Sequence, residues 1–338
     1  MNAQMNVETL RDVSVRKMLE GREFPLQITP NREGCDLVSW AGEHQVAIDQ
    51  LICRAGALLF RGFDVRRAET FEAAANAVSP AEWVTYREAS TPRTHVSGNL
   101  FTATEYPPPM RIYVHNENSH VTSWPLYLFF YCRTPATTAG HTPLADCRAV
   151  YRRLPPAIVA KFVEKGWMYR RNFGAVSSVP WQKTFGTDNR EDVERYCREN
   201  YMEADWTNTG LSVRYRRWAA LTHPRTDDRV WFNHGTFFNP YTLEPTIKEL
   251  YSALGEDSLP YNTYYGDGSP VEPETMRILD EAYAAETISF PWQSGDVLMV
   301  DNMRLAHGRQ PFSGRREVLV TMKWRILCEE IAPRETYA

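Results

Sequence analysis

Between residues 111 and 117 the chain alternates, with Ile112 and Val114 on one side and Tyr113, His115 and Glu117 on the other, as on a half-buried strand. The same two-residue period returns from Val318 through Val320, Met322 and Trp324 to Ile326. Residues 126–133 form a continuous apolar and aromatic run, and residues 58–60, 230–232 and 297–300 are shorter runs that predict strands. Helical spacing links Val46, Ile48, Leu51, Ile52 and Ala55. Pro155-Pro156 opens a helix through Val163 that Gly166 can cap. Further helices are expected over 191–200, with Asp188 or Asn189 as N-cap, and over 274–284. Residues 86–92 and 105–109 are turn-rich, and residues 1–35 look like a polar, irregular extension.

Strands lie toward both ends with helices between them, and no regular β-α-β-α rhythm appears. A doubly wound parallel sheet is therefore disfavoured. The pattern predicts a mainly β (α+β) chain: a double-stranded β-helix, or jelly roll, with helical insertions and a helical N-terminal region. The 338 residues suggest two domains by length alone. No Pro-, Gly- or Ser-rich linker divides them, so one domain over 36–330 is expected, with helical insertions at about 150–290.

Composition narrows the function. The formal charge is −4, from 42 acidic and 38 basic side chains, which argues against a polyanionic partner such as nucleic acid. No apolar run approaches the ~20 residues of a spanning helix, so no membrane partner is expected. The first residues mix both charge signs without the apolar run of a secretory signal. Cys35, Cys53, Cys132, Cys147, Cys197 and Cys328 are scattered, with no C-x-x-C pair, and read as reduced thiols of a cytoplasmic protein. The histidines remain as soft ligands.

His115 and Glu117 stand two apart on the predicted strand, which projects both from one face. His307 follows the apolar run 297–300 and a turn, and precedes Gly314-Arg315-Arg316. Two histidines and one carboxylate can form the facial triad of a non-haem Fe(II) oxygenase, which leaves positions open for co-substrate and oxygen.

Longer stretches support that reading. They are Thr104-Glu105-Tyr106-Pro107, His115-Asn116-Glu117-Asn118-Ser119, Trp124-Pro125 and Thr142-Pro143-Leu144-Ala145-Asp146. His223-Pro224, Trp231-Phe232-Asn233 and Tyr265-Gly266-Asp267-Gly268 follow in order. Trp292-Gln293-Ser294-Gly295-Asp296-Val297, Asp301-Asn302-Met303 and His307-Gly308-Arg309 complete the set. With them the chain resembles the taurine dioxygenase-like group of Fe(II)/2-oxoglutarate oxygenases, in the branch containing the syringomycin-biosynthesis aspartyl hydroxylase. The resemblance implies Fe(II) held by His115, Glu117 and His307, with 2-oxoglutarate and O2 as co-substrates. It implies Thr142 and an arginine at the distal carboxylate of 2-oxoglutarate. Arg316 is the chosen arginine, because it shares the face of Val318, Val320 and Met322. Arg315 and Arg309 compete with it.

The implied reaction is oxidation of an unactivated C–H in an amino acid, a carrier-bound amino acid or a related natural-product intermediate. Hydroxylation leads, with desaturation or oxidative cyclisation as alternatives. The chain departs from the family pattern at His120, His141 and His234; Asn118, His120 and His234 are the candidate substrate contacts. The partner is thus a small molecule, free or tethered to a carrier protein, and assembly with further copies of the chain stays open. His44 and His95 read as surface or hydrogen-bonded residues and His223 as a turn stabiliser. The arginine clusters 152–153, 170–171 and 214–217 read as solvated faces. Two rivals are a non-catalytic jelly-roll binding protein and a Zn(II) hydrolase. The second is disfavoured because no general-base Glu adjoins either histidine.

Overall fold

A computed structural model of the chain describes residues 10–85, 93–174, 179–207, 210–255 and 258–337. The turn-rich segment 86–92 lies outside the described residues. The larger of two facing sheets runs Val13–Lys17, Leu26–Pro30, Ala57–Phe60, Val297–Asp301, Ser123–Thr134, Glu317–Leu327, Leu100–Thr102 and His95–Ser97. The smaller runs Thr287–Ile288, Leu144–Asp146, Leu305–Arg309 and Ile112–His115. Neighbouring strands are antiparallel except Leu26–Pro30 against Ala57–Phe60. Leu128, Phe130, Leu298 and Val320 of the first sheet share one buried cluster with Leu144, Ile288 and Leu305 of the second. Their inner faces therefore make the layered core of a jelly roll.

The outer face of the larger sheet is also covered. Phe129, Tyr131, Val297, Met299 and Leu319 pack in a second cluster with the helices Leu37–Ala55 and Ala68–Val78. Burial on both faces explains why Glu317–Leu327 departs from strict alternation: Leu319 and Thr321 are as buried as Val318 and Val320. Asp36 caps the first helix by accepting the N–H groups of Val38 and Ser39, and Gly56 ends it at φ +78°. That helix begins well before the predicted periodic stretch. Its buried face uses Leu37, Trp40 and Ala41 as well, whereas Val46 is 74% exposed.

Residues 13–30 correct the irregular extension expected from their polarity. They form two strands at the sheet edge, where one face needs apolar residues only at Leu26 and Ile28. The insertion between the two halves of the roll is not purely helical. It carries the helices Pro156–Lys165, Arg190–Glu199 (capped by Asn189) and Pro273–Glu286. It also holds a four-stranded sheet ordered Met202–Thr207, Gly210–Arg217, Trp167–Phe173 and Tyr261–Tyr265. Of the strand expected over 230–232, only Val230 is in a ladder, as the end of the short strand Arg229–Val230. Arg171 and Arg217 leave the solvated clusters: Arg217 is fully buried, donating to the carbonyls of His120, Asn200 and Arg216. All six cysteines are free thiols, and no helix among the described residues is long and apolar enough to cross a membrane.

Lys323 is fully buried under the second helix, donating to Asn76 Oδ1 at 2.8 Å and lying 3.5 Å from the Trp83 ring centre. Burial pushes its pKa down to about 8. Between that value and the ordinary one near about 10.4, the unfolded chain holds a proton that the folded chain has released. Stability contributed by this group therefore rises with pH through the window. Melting temperatures of wild type and Lys323→Met, compared from pH 7.5 to pH 10, should diverge in favour of wild type as pH rises. A pH-independent difference contradicts this account.

Candidate active site

His115 ends its strand opposite His307, with which it is in direct antiparallel register. The ladder then shifts before Arg309, and the residue between is glycine for a steric reason. A Cβ on Gly308 would stand 2.6 Å from the Ile112 carbonyl oxygen. The strand stops at His115, which corrects the strand-face argument for Glu117. The carboxylate is aimed instead by the following turn, where Asn118 adopts φ +56°.

Asn302 holds that turn. Its Oδ1 accepts the Glu117 N–H at 2.7 Å, and its Nδ2 donates to the carbonyls of Glu117 and Pro125, each at 2.9 Å. Asn116 returns the contact by donating to the Asn302 carbonyl at 2.6 Å. Asn302 is fixed in turn by its neighbour: Asp301 accepts the N–H groups of Met303 and Arg304 on one oxygen and faces His223 Nε2 at 3.0 Å with the other. His223 Nδ1 accepts from the backbone of Arg225 and Thr226, so Nε2 carries the proton donated to Asp301. The expected turn-stabilising role of His223 is the one it performs.

Among the described residues, His115, Glu117 and His307 form the one group of three suited to a metal, their ligand atoms all within 4.8 Å. His115 Nδ1 donates to the Tyr113 carbonyl at 2.8 Å, which leaves Nε2 to coordinate. His307 Nε2 lies 3.7 Å from Glu117 Oε2. Burial drives the pKa of both histidines down, so both present the neutral imidazole that a metal requires. Two neutral nitrogens and one carboxylate oxygen, converging inside the protein, fit a divalent first-row metal such as Fe(II).

The adjoining cavity is walled by His115, His307, Thr142, Arg316, Phe130 and Val318, among others. Arg316 donates from Nε to the Gly140 carbonyl at 2.8 Å and places Nη2 3.5 Å from Thr142 Oγ1. Trp292 Nε1 donates to the same hydroxyl at 3.1 Å. Burial, reinforced by Arg309, lowers the Arg316 pKa to about 10, which still leaves it cationic at neutral pH. Its competitors are engaged elsewhere. Arg315 is 80% exposed beside Glu317. Arg309 spends its donors on the carbonyls of Tyr106, Pro107 and Met110.

The expected substrate contacts are placed differently. His234 and His120 form a buried column behind His115, with ring centres 4.9 Å from His115 to His234 and 4.8 Å from His234 to His120. His234 Nδ1 meets the Asn116 carbonyl at 3.1 Å. Burial holds both rings neutral. Neither they nor Asn118 is among the residues lining the cavity. Three contributors carried no role in the sequence reading: Asn302, Trp292 and Arg93. Asn302 and Trp292 sit in the matched stretches, but an amide or an indole announces no chemistry by residue type.

Residues 22–322 match the family of the taurine catabolism dioxygenase TauD, TfdA family. The chain is 33% identical over 311 residues to the dapdiamide synthesis protein DdaC of Enterobacter agglomerans, covering 91% of this chain and 94% of that protein. It is also 33% identical over 291 residues to a clavaminate synthase-like protein of Arabidopsis thaliana, covering 81% and 83%. Among solved structures it is similar to PvcB of Pseudomonas aeruginosa, with a TM-score of 0.58 at 15% identity over 100% and 99% of the two chains. At that identity the likeness speaks for the fold.

Asn302→Ala removes both contacts that aim Glu117 and orphans buried backbone groups. It should cost roughly 1–3 kcal/mol in stability, and at temperatures where it stays folded it should bind Mn(II) at least about 10-fold more weakly. Calorimetric titration with Mn(II) and a thermal melt check both. An unchanged affinity contradicts the positioning role.

Proposed function

The chain belongs to the TauD, TfdA dioxygenase family, and from that premise we propose that His115, Glu117 and His307 hold Fe(II) while Arg316 and Thr142 hold the distal carboxylate of 2-oxoglutarate. The enzyme is an Fe(II)- and 2-oxoglutarate-dependent dioxygenase of small molecules. The observation that carries the residue assignment is the convergence of the three ligand atoms within 4.8 Å, with His115 and His307 lining the same cavity as Arg316. When bound, the metal supplies the coupling of 2-oxoglutarate decarboxylation to oxidation of a substrate C–H by O2.

The protein's own work is binding and exclusion. The Arg316 guanidinium offers a planar fork that stays charged when desolvated, as a buried carboxylate requires. Trp292 orients the Thr142 hydroxyl by donating to its oxygen, so the hydroxyl hydrogen is available to an incoming carboxylate. Ile112, Phe130 and Val318 give the cavity apolar lining and limit the water that could divert the oxidation. The Tyr113 carbonyl holds His115 in one tautomer. The substrate is an amino acid or a related natural-product intermediate, and hydroxylation is the reaction; DdaC, from dapdiamide synthesis, supports that class.

Two measurements test these assignments. Anaerobic addition of Fe(II) and 2-oxoglutarate should give a visible absorption band that His307→Ala lacks; a variant that keeps both the band and succinate formation sinks the metal assignment. Arg316→Gln should weaken 2-oxoglutarate binding by about 10- to 100-fold, whereas Arg315→Gln should leave it unchanged. The reverse pattern would move the anchor by one residue.

A further inference from the structure

Thr142 is buried, and its Oγ1 stands between two groups that can only donate. Trp292 Nε1 donates to it at 3.1 Å, and Arg316 Nη2 faces it at 3.5 Å. Both donors are held in place. The buried Trp292 indole packs edge-on against Phe290, with ring centres 5.9 Å apart. The Arg316 guanidinium is pinned through Nε on the Gly140 carbonyl at 2.8 Å. A hydroxyl has one hydrogen and two lone pairs. Rotated toward the indole or the guanidinium, the Thr142 hydrogen would meet an N–H head-on. The direction left to it points away from both. Thr142 and Arg316 line the cavity and Trp292 does not, so the indole acts on a bound molecule through Thr142.

We propose that Trp292 is a positioning residue that sets co-substrate specificity. By occupying the Thr142 oxygen it makes that hydroxyl a donor only, and the distal site then takes an ionised carboxylate and refuses the corresponding amide. The inference rests on the assignment of Thr142 and Arg316 to the distal carboxylate of 2-oxoglutarate. A carboxylate brings two acceptor oxygens, one for the Thr142 hydroxyl and one for the Arg316 guanidinium. A primary amide brings one acceptor and one NH2. Whichever way it turns, its NH2 meets a donor at Arg316 or at Thr142, and both partners of that contact lose a hydrogen bond. Without the indole N–H, the Thr142 hydrogen can swing into the vacated direction. The hydroxyl then accepts from the amide NH2 while the amide oxygen faces Arg316.

The test compares N-oxalylglycine, an unreactive stand-in for 2-oxoglutarate, with N-oxalylglycinamide, the same molecule with a primary amide as its distal group. Calorimetry on Mn(II)-loaded protein gives both affinities. Wild type should prefer the carboxylate by at least about 100-fold. Trp292→Phe keeps an aromatic ring and loses the N–H; its preference should be at least about 10-fold smaller, with the amide bound more tightly than by wild type. Thr142→Val should also shrink the preference, and adding Trp292→Phe to it should change nothing further. Trp292→Met is the second variant should Trp292→Phe not fold. A preference in Trp292→Phe equal to that of wild type overturns the proposal, including the case where both affinities fall together and the indole merely packs. So does a Trp292→Phe effect that persists in the Thr142→Val background. Failure of N-oxalylglycine to bind Mn(II)-loaded wild type, or an affinity untouched by Arg316→Gln, would instead bring down the co-substrate assignment on which the inference rests.

Discussion

The site depends on a buried amide. Asn302 closes the end of one core strand and, through three side-chain hydrogen bonds, fastens the turn that carries Glu117 and the start of the neighbouring strand at Pro125. Each group it satisfies is a backbone N–H or carbonyl that would otherwise be orphaned away from water. The geometry needs one residue that is both donor and acceptor and short enough to reach both sides, which asparagine provides. His307, five residues further on, is then set against His115 by the ladder of the smaller sheet. Two histidines are placed by strand register and the carboxylate by a clamped turn.

Rigidity follows from the layers around this junction. The larger sheet is packed on both faces, by the smaller sheet within and by two helices without. Polar support is arranged in series: Arg225 and Thr226 fix His223, His223 fixes Asp301, and Asp301 shapes the turn of Asn302. A dense core transmits such constraints without slack. The cavity that results is lined by Arg93, Arg309 and Arg316 together with the apolar side chains of Ile112, Phe130 and Val318.

Much of this was legible in the chain because strand periodicity and ligand residue types are local signals. The alternation at 111–117 located the first histidine and its strand, and the parity of Arg316 with Val318, Val320 and Met322 put its guanidinium on the cavity side rather than that of Arg315. What escaped was non-local. The edge strands at 13–30 have little apolar pattern because only part of one face is buried. The sheet inside the insertion is built partly from arginine-rich segments such as Gly210–Arg217, whose charges masked the strand and whose Arg217 is satisfied by carbonyls distant in sequence. His120 and His234 looked like substrate contacts because they depart from the family pattern, whereas three-dimensional packing puts them in a buried column with His115. The Arg93–Glu117 pair joins residues that no spacing rule connects.

The central claim is that strand register and one clamped turn bring His115, Glu117 and His307 to a single metal. The most direct measurement is anomalous diffraction from crystals grown with Mn(II) and N-oxalylglycine. The account predicts one strong anomalous peak bonded to Nε2 of His115, Nε2 of His307 and a carboxylate oxygen of Glu117, each at about 2.0–2.3 Å, with N-oxalylglycine reaching Arg316. A peak elsewhere, or one lacking any of these three ligands, would contradict it.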